Sequence, residues 1–255
     1  MTIYCLSDPH LHGALPDKSM DQFGPMWTGH QRRIGSHWQN LVSEKDIILI
    51  PGDISWAVHW EDALVDLKWL NSLPGKKILL KGNHDLWWKK TSQLRNAGLK
   101  TLHFIDGDSV QIGNWEFFGA RLWDTSEYHC NDIIDWTTED GEVPDMYKVV
   151  EGDDSDKKYN SELLKLQRSI DSLKSKDTNK IVLFHYPPTT SKYTPTRALE
   201  MVSQVEGLKT GVFGHLHQLK QDLDFKPFTS DNSSDLTLHL CSCDHLKMKP
   251  KLIAR

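Results

Sequence analysis

Residues 77–85 read Lys77-Ile78-Leu79-Leu80-Lys81-Gly82-Asn83-His84-Asp85. A short apolar run ends in a glycine turn that carries an amide, an imidazole and a carboxylate side by side. A run of this length, bounded by glycine, has the pattern of a buried β-strand. Polar donors just past the C-terminal end of a strand stand where open α/β sheets form their ligand sites. The same arrangement recurs on both sides. Upstream, the strand Thr2–Ser7 leads into Asp8 and His10, and Ile47–Ile50 leads into Pro51-Gly52-Asp53. Downstream, Ile181–Phe184 leads into His185-Tyr186-Pro187-Pro188, and Gly211–Phe213 leads into Gly214-His215-Leu216-His217.

Helical patterns fill the intervals. Glu61–Leu70 places Ala63, Leu64, Leu67 and Leu70 on one face, and Thr91–Ala97 predicts a short helix with Thr91 as its cap and Gly98 as its stop. Further helices are expected over Ser161–Leu173 and Arg197–Gln204. Gly113-Asn114, between Val110–Ile112 and Glu116–Phe118, predicts a tight hairpin. Leu236–Leu240 alternates as a β edge would, and the basic tail Lys247–Arg255 carries no functional signal. Strand and helix in this rhythm describe a layered α/β domain over residues 1–255. One stretch breaks the rhythm. Leu122–Asp156 holds twelve Asp or Glu against a single base, Lys148. It reads as an inserted acidic loop or cap around residues 122–158.

Composition narrows the class. The 255 residues are 38% hydrophobic and 25% charged, with a net charge of −5. That balance provides no general attraction to nucleic acid or to an anionic membrane. No apolar run approaches the ~20 residues that span a bilayer, and Met1–Leu6 lacks the basic and apolar regions of a signal peptide. A cytoplasmic protein is therefore expected. The four cysteines, Cys5, Cys130, Cys241 and Cys243, read as reduced thiols, because Cys-Ser-Cys is too tight for a C-x2-C zinc knuckle. Thirteen histidines are many for this length, and imidazole is the commonest metal ligand among side chains.

Each motif alone is weak, since a buried histidine or a strand-end aspartate has structural uses of its own. Together they form a known order. The blocks Asp8-Pro9-His10, Gly52-Asp53, Gly82-Asn83-His84-Asp85, His185 and Gly214-His215-Leu216-His217 resemble the D-x-H, G-D, G-N-H-[DE], H and G-H-x-H signature of the calcineurin-like metallophosphoesterases. Gly52-Asp53-Ile54-Ser55-Trp56 and Lys81-Gly82-Asn83-His84-Asp85 are most similar to uncharacterised bacterial phosphohydrolases of that superfamily. The resemblance implies a four-layer αββα sandwich, two mixed β-sheets flanked by helices. It implies two divalent metals: Asp8, His10 and His217 on one, Asn83, His185 and His215 on the other, and Asp53 between them. His84 would face the substrate as the catalytic residue, oriented by Asp85.

The residue types suit that chemistry. Two cations ~3.5–4 Å apart need a shared carboxylate. With only Asp8 and Asp53 as anionic ligands, the centre stays cationic enough to attract a phosphoryl group. Imidazole with oxygen donors suits Mn²⁺, Fe or Zn²⁺, and Mn²⁺ is the first expectation. The expected reaction is hydrolysis of a phosphomonoester or phosphodiester by a hydroxide held between the metals. Arg121, at the end of the hairpin strand, is a candidate phosphate clamp, with a surface ion pair as the alternative. Trp56, Trp87 and Trp88 read as packing residues first and as a substrate wall second. His12, His103, His239 and His245 read as structural. An overhanging acidic segment would repel long polyanions, so a phosphorylated small molecule is the expected substrate rather than nucleic acid. Two alternatives stand beside it: a nuclease or cyclic-nucleotide phosphodiesterase with the same centre, and a metal-binding scaffold without turnover. The chain contains no G-x-S-x-G, G-x4-G-K-[ST] or G-x-G-x-x-G motif that would direct it to other chemistries.

Overall fold

Ile47–Ile50 shows how the layers arise. All four of its side chains are buried, so the strand has apolar neighbours on both faces. Ile48 and Ile50 join one core, and Ile47 and Leu49 join another. The computed structural model describes residues 1–127, 129–135, 153–174, 177–220, 227–229 and 235–255. Within them one sheet contains β1 (Ile3–Cys5), β2 (Ile47–Ile50), β3 (Lys76–Leu80), β4 (Leu102–Ile105) and β11 (Lys251–Ala254), in the order β11-β1-β2-β3-β4. β1 to β4 run parallel, and β11 runs antiparallel to β1.

The second sheet contains β5 (Ser109–Ile112), β6 (Trp115–Ala120), β7 (Asn179–Phe184), β8 (Leu208–Phe213), β9 (Pro227–Thr229) and β10 (Asp235–Leu240), in the order β5-β6-β7-β8-β10-β9. It too is mixed, antiparallel at both ends and parallel between. Among the described residues five α-helices cover the faces: α1 (His30–Leu41), α2 (Trp60–Ser72), α3 (Thr91–Arg95), α4 (Asp153–Asp171) and α5 (Arg197–Ser203).

Three apolar cores confirm the four layers. α1 and α2 bury Ile34, Trp38, Leu67 and Leu70 against the outer face of the first sheet. Ile3, Leu49 and Ile78 meet Phe117, Leu183 and Val212 between the sheets. α4 and α5 bury Tyr159, Leu166 and Leu199 on the outer face of the second. The four cysteines are free and buried. Among the described residues no helix is long and apolar enough to cross a membrane.

The hairpin at Gly113-Asn114 forms with Ile112 opposite Trp115. Other expectations shift. Leu236–Leu240 lies within β10, but as an inner strand, because β9 takes the edge beyond it. Lys90, not Thr91, stands at the cap position of α3. α4 begins at Asp153 rather than Ser161. Acidic residues in a first turn complement the helix dipole, so the acidity that looked like loop marks a helix start. The tail residues 251–254 pair with β1. Residues 136–152 of the acidic insertion lie outside the described residues. Its flank does not: Ile134 bridges Leu219, and Asp135 N–H donates to the Gln218 carbonyl at 2.6 Å.

Candidate metal centre

The strands stop short of the donors, and tight turns carry them. Asp8, His10, Asp53 and His215 adopt φ of 56°, 42°, 48° and 68°. Left-handed backbone at a residue other than glycine costs about 1–3 kcal/mol and persists only where surroundings enforce it. Here main-chain bonds between the turns enforce it. Asp8 N–H donates to Gly52 O at 3.1 Å, His10 N–H to Asp53 O at 3.0 Å, and Gly214 N–H to His185 O at 3.1 Å. The turns touch so closely that only glycine fits between them. A Cβ on Gly82 would stand 2.1 Å from Asp53 N and Oδ1, and one on Gly214 2.1 Å from Asp8 Oδ2.

The seven expected donors meet. Ligand atoms of Asp8, His10 and His217 lie within 4.8 Å of one another, and so do those of Asp53, His185 and His215. His10 Nε2 is 3.3 Å from His217 Nε2, and His185 Nε2 is 2.7 Å from Asn83 Oδ1. Asp53 joins the two groups: Oδ2 is 3.9 Å from His10 Nε2, and Oδ1 is 3.5 Å from His185 Nε2. The donor chemistry fits a pair of cations. His185 donates Nδ1–H to Pro51 O at 2.9 Å, and His217 donates Nδ1–H to Asp244 at 2.7 Å. A neutral His185 therefore turns the lone pair of Nε2 toward the Asn83 oxygen, a contact that needs a proton or a metal between them, and His217 turns its Nε2 toward that of His10.

Electrostatics say the same. Burial disfavours charge on His185, yet the Asp53 and Asp8 carboxylates raise its pKa to about 9. His217 is likewise desolvated and raised to about 9, by Asp244 first and then Asp8. Burial pushes Asp53 up, but His185 and His10 hold it well below the usual carboxylate range. Burial raises Asp8 and depresses His10 and His215.

His84 is placed at the rim. Its N–H donates to Asp53 Oδ1 at 2.8 Å, and its ring is 4.5 Å from Trp56 and 5.8 Å from His10. Burial lowers its pKa. Asp85 does not orient this ring through a hydrogen bond of its own. Its carboxylate accepts from Ile54 N at 2.8 Å, Ser55 N at 3.2 Å, Gly82 N at 2.8 Å and Trp87 Nε1 at 3.1 Å. It thus fastens the turn after β2 to the turn after β3. Burial, and then Asp53, push it up to about 7. Arg121 uses one nitrogen to donate to buried Glu162 at 2.9 Å, and its guanidinium carbon lies 4.6 Å from the centre of the Trp123 ring. Its carbonyl accepts from His185 N and Tyr186 N.

Four positioning side chains escaped the sequence reading. Asp244 orients His217. His30, on α1, bonds the His10 carbonyl at 3.2 Å. Cys243 donates its thiol to Asp8 O at 2.8 Å. Asp66, on α2, accepts from Gly13 N at 2.8 Å and Ser55 Oγ at 2.5 Å, tying the first two turns together. Asp244 had a signal, since it is an acidic residue shortly after a strand, as Asp8 and Asp53 are. Trp56 is no plain packing residue either: it stacks on His10 at 5.0 Å and 25°.

A two-sheet sandwich with this donor set at its strand ends is the architecture that the sequence resemblance implied. The family model of the calcineurin-like phosphoesterases matches residues 1–219, and the chain belongs to that family. Among relatives, the Gene 66 protein of Mycobacterium phage D29 is 34% identical over 83 residues, covering 32% of this chain and 40% of that protein. The uncharacterized protein MJ1445 of Methanocaldococcus jannaschii is 25% identical over 114 residues, covering 45% of this chain and 64% of its own length. The matches thus span less than two thirds of either relative. A solved structure, the phosphopantetheinyl hydrolase of Mycobacterium tuberculosis, covers 99% of this chain and 95% of its own at 13% identity, with a TM-score of 0.53. That likeness is one of fold.

Proposed function

We propose that this chain hydrolyses a phosphomonoester or phosphodiester of a small molecule with a pair of divalent cations, Mn²⁺ first and Fe or Zn²⁺ after it. The observation that carries the reading is Asp53, whose two oxygens face the two donor groups at 3.9 and 3.5 Å. Bound there, the cations would polarise the phosphoryl oxygens and supply an activated water. Asp8, His10 and His217 would hold one ion, and Asn83, His185 and His215 the other. Pro51 O and Asp244 keep the Nδ1 protons of His185 and His217, so that Nε2 faces the ions. His84, at the rim and largely desolvated, stabilises the developing charge or delivers a proton to the leaving oxygen.

The acidic insertion supports a small substrate. Its Ile134 bridges Leu219, two residues past His217, and Ser191 Oγ fixes Asp132 beside it at 2.6 Å. Carboxylates at that position oppose a long polyanion. The test is metal removal and return. Stripped protein should lose hydrolysis of bis-p-nitrophenyl phosphate and p-nitrophenyl phosphate, and Mn²⁺ should restore it to one of them. Asp53→Ala should abolish turnover and retain roughly half or less of the wild-type metal. An active, fully loaded Asp53→Ala protein would refute the shared-carboxylate centre.

A further inference from the structure

The donors occupy one side of the cleft, and the other side is apolar. Met20, Phe23 and Trp27 come from short turns between β1 and α1, and Trp56 from the loop after Asp53. With His10, His84, His217 and Gln218 they border a small cavity of about 50 Å³ that opens to solvent. Trp56 lies against both histidines, with ring centres 5.0 Å from His10 and 4.5 Å from His84. The Trp27 ring meets His217 edge-on at 5.6 Å. The polar edge of Trp56 is already used, as its indole N–H points to Met20 Sδ at 3.0 Å. What Trp56 offers a ligand is therefore aromatic surface rather than a hydrogen bond, and Gln218 is the polar residue that borders the cavity beside it.

A second observation points the same way. Met26, Val58 and Leu86 are 41%, 44% and 64% exposed, among the few large apolar side chains left in solvent. They stand one or two residues from Trp27, Trp56 and His84 in the chain. Met26 borders a second opening, which shares Phe23, Trp27 and Gln218 with the first.

Resting on the phosphoesterase reading, we propose that the alcohol esterified to the phosphate carries a planar aromatic ring, which this wall receives. A ring against Trp56 stands beside His84, the group assigned to the leaving oxygen. The P–O bond to that alcohol breaks, the oxygen of water bonds to phosphorus, and the proton of water ends on the departing alcohol. A polyol or sugar in the same place would desolvate its hydroxyls against indole with no partner to replace water.

The test compares 2-phenylethyl phosphate with ethyl phosphate, whose leaving alcohols are similar in acidity, on the Mn²⁺-loaded protein. The phenyl ester should show a kcat/KM about tenfold higher or more, and Phe23→Ala should bring the ratio toward one. Adenosine 5′-phosphate against ribose 5-phosphate repeats the comparison for a nucleobase ring, so the two pairs distinguish the sources of the ring. Turnover of both members of each pair at equal kcat/KM overturns the ring pocket and leaves the phosphoesterase reading intact. Absence of turnover for every ester counts against that reading instead. The pocket is then decided by calorimetry with 2-phenylethylphosphonate and ethylphosphonate, which have no scissile ester: tighter binding of the ring supports it, and equal affinity overturns it.

Discussion

The floor of the cleft is made from strand ends, whereas its aromatic wall is made from irregular turns. On the floor, donors from residue 8 to residue 217 gather into two groups, each within 4.8 Å, because parallel strands deliver them to one edge. Closely packed glycines and left-handed turns then fix them. Of the wall, Trp56 is tied to the floor, its main-chain N–H donating to Leu11 O at 2.9 Å beside the bridge of Leu11 to Ser55, whereas Met20, Phe23 and Trp27 lie outside both sheets. Three 3₁₀ turns between Pro16 and Trp27 hold them through local bonds, among them Gly29 N–H to Asp21 at 3.3 Å. The difference teaches that chemistry and selectivity are carried by separate structures, and that each should respond to mutation on its own.

Three substitutions can break or sharpen that separation. The largest effect is expected for His84→Ala, which sits where floor and wall meet. Turnover should fall by about 10²–10⁴-fold while metal content, read by atomic emission, stays near wild type. Equal loss of metal would assign His84 to the floor instead. Asp244→Asn comes next. It replaces the carboxylate acceptor of His217 Nδ1–H, and metal affinity should fall by about 10–100-fold, with the preference among esters unchanged. A shift in ester preference would show that floor and wall are coupled.

The smallest effect concerns the strand that supports the floor. Lys77, at the start of β3, is fully buried and donates to Leu73 O and Thr101 Oγ1. Burial lowers its pKa from 10.5 to about 8. Below pH 8 the ammonium is charged in both folded and unfolded chains, and its desolvation weighs on the fold in full. As the pH rises from 8 toward 10.5, the native chain sheds the proton first and stability rises. The urea midpoint of wild type should therefore climb over that interval relative to Lys77→Met. Parallel curves for the two proteins would show that Lys77 titrates as it does in water.

The same contrast explains what could be read from the residues alone. Ile47–Ile50 and Ile181–Phe184 announce themselves because strands buried on both faces are continuous apolar runs. The glycines beside Asp53, Asn83 and His215 mark turns, so the donors could be assigned to strand ends. α1 was missed because His30 takes the first of its three buried positions, with Ile34 and Trp38, and disguises the period. The bonds of Asp85 cannot be read from its place in the sequence. Its spacing from His84 is local, but its four bonds reach backbone and indole groups that only the fold brings near. The wall was illegible because turns have no period. Met20, Phe23 and Trp27 gain meaning only once His10 and His217 are beside them.

β1 carries the turn that holds Asp8 and His10, and its outer side is closed by residues 251–254. During synthesis that side presents bare amides and carbonyls until a strand made some 250 residues later emerges from the ribosome. Asp244, which aims His217, arrives at almost the same moment. Both arrive after the last of the seven donors, His217, has been made, so the centre is closed and aimed by residues that follow every donor in the chain.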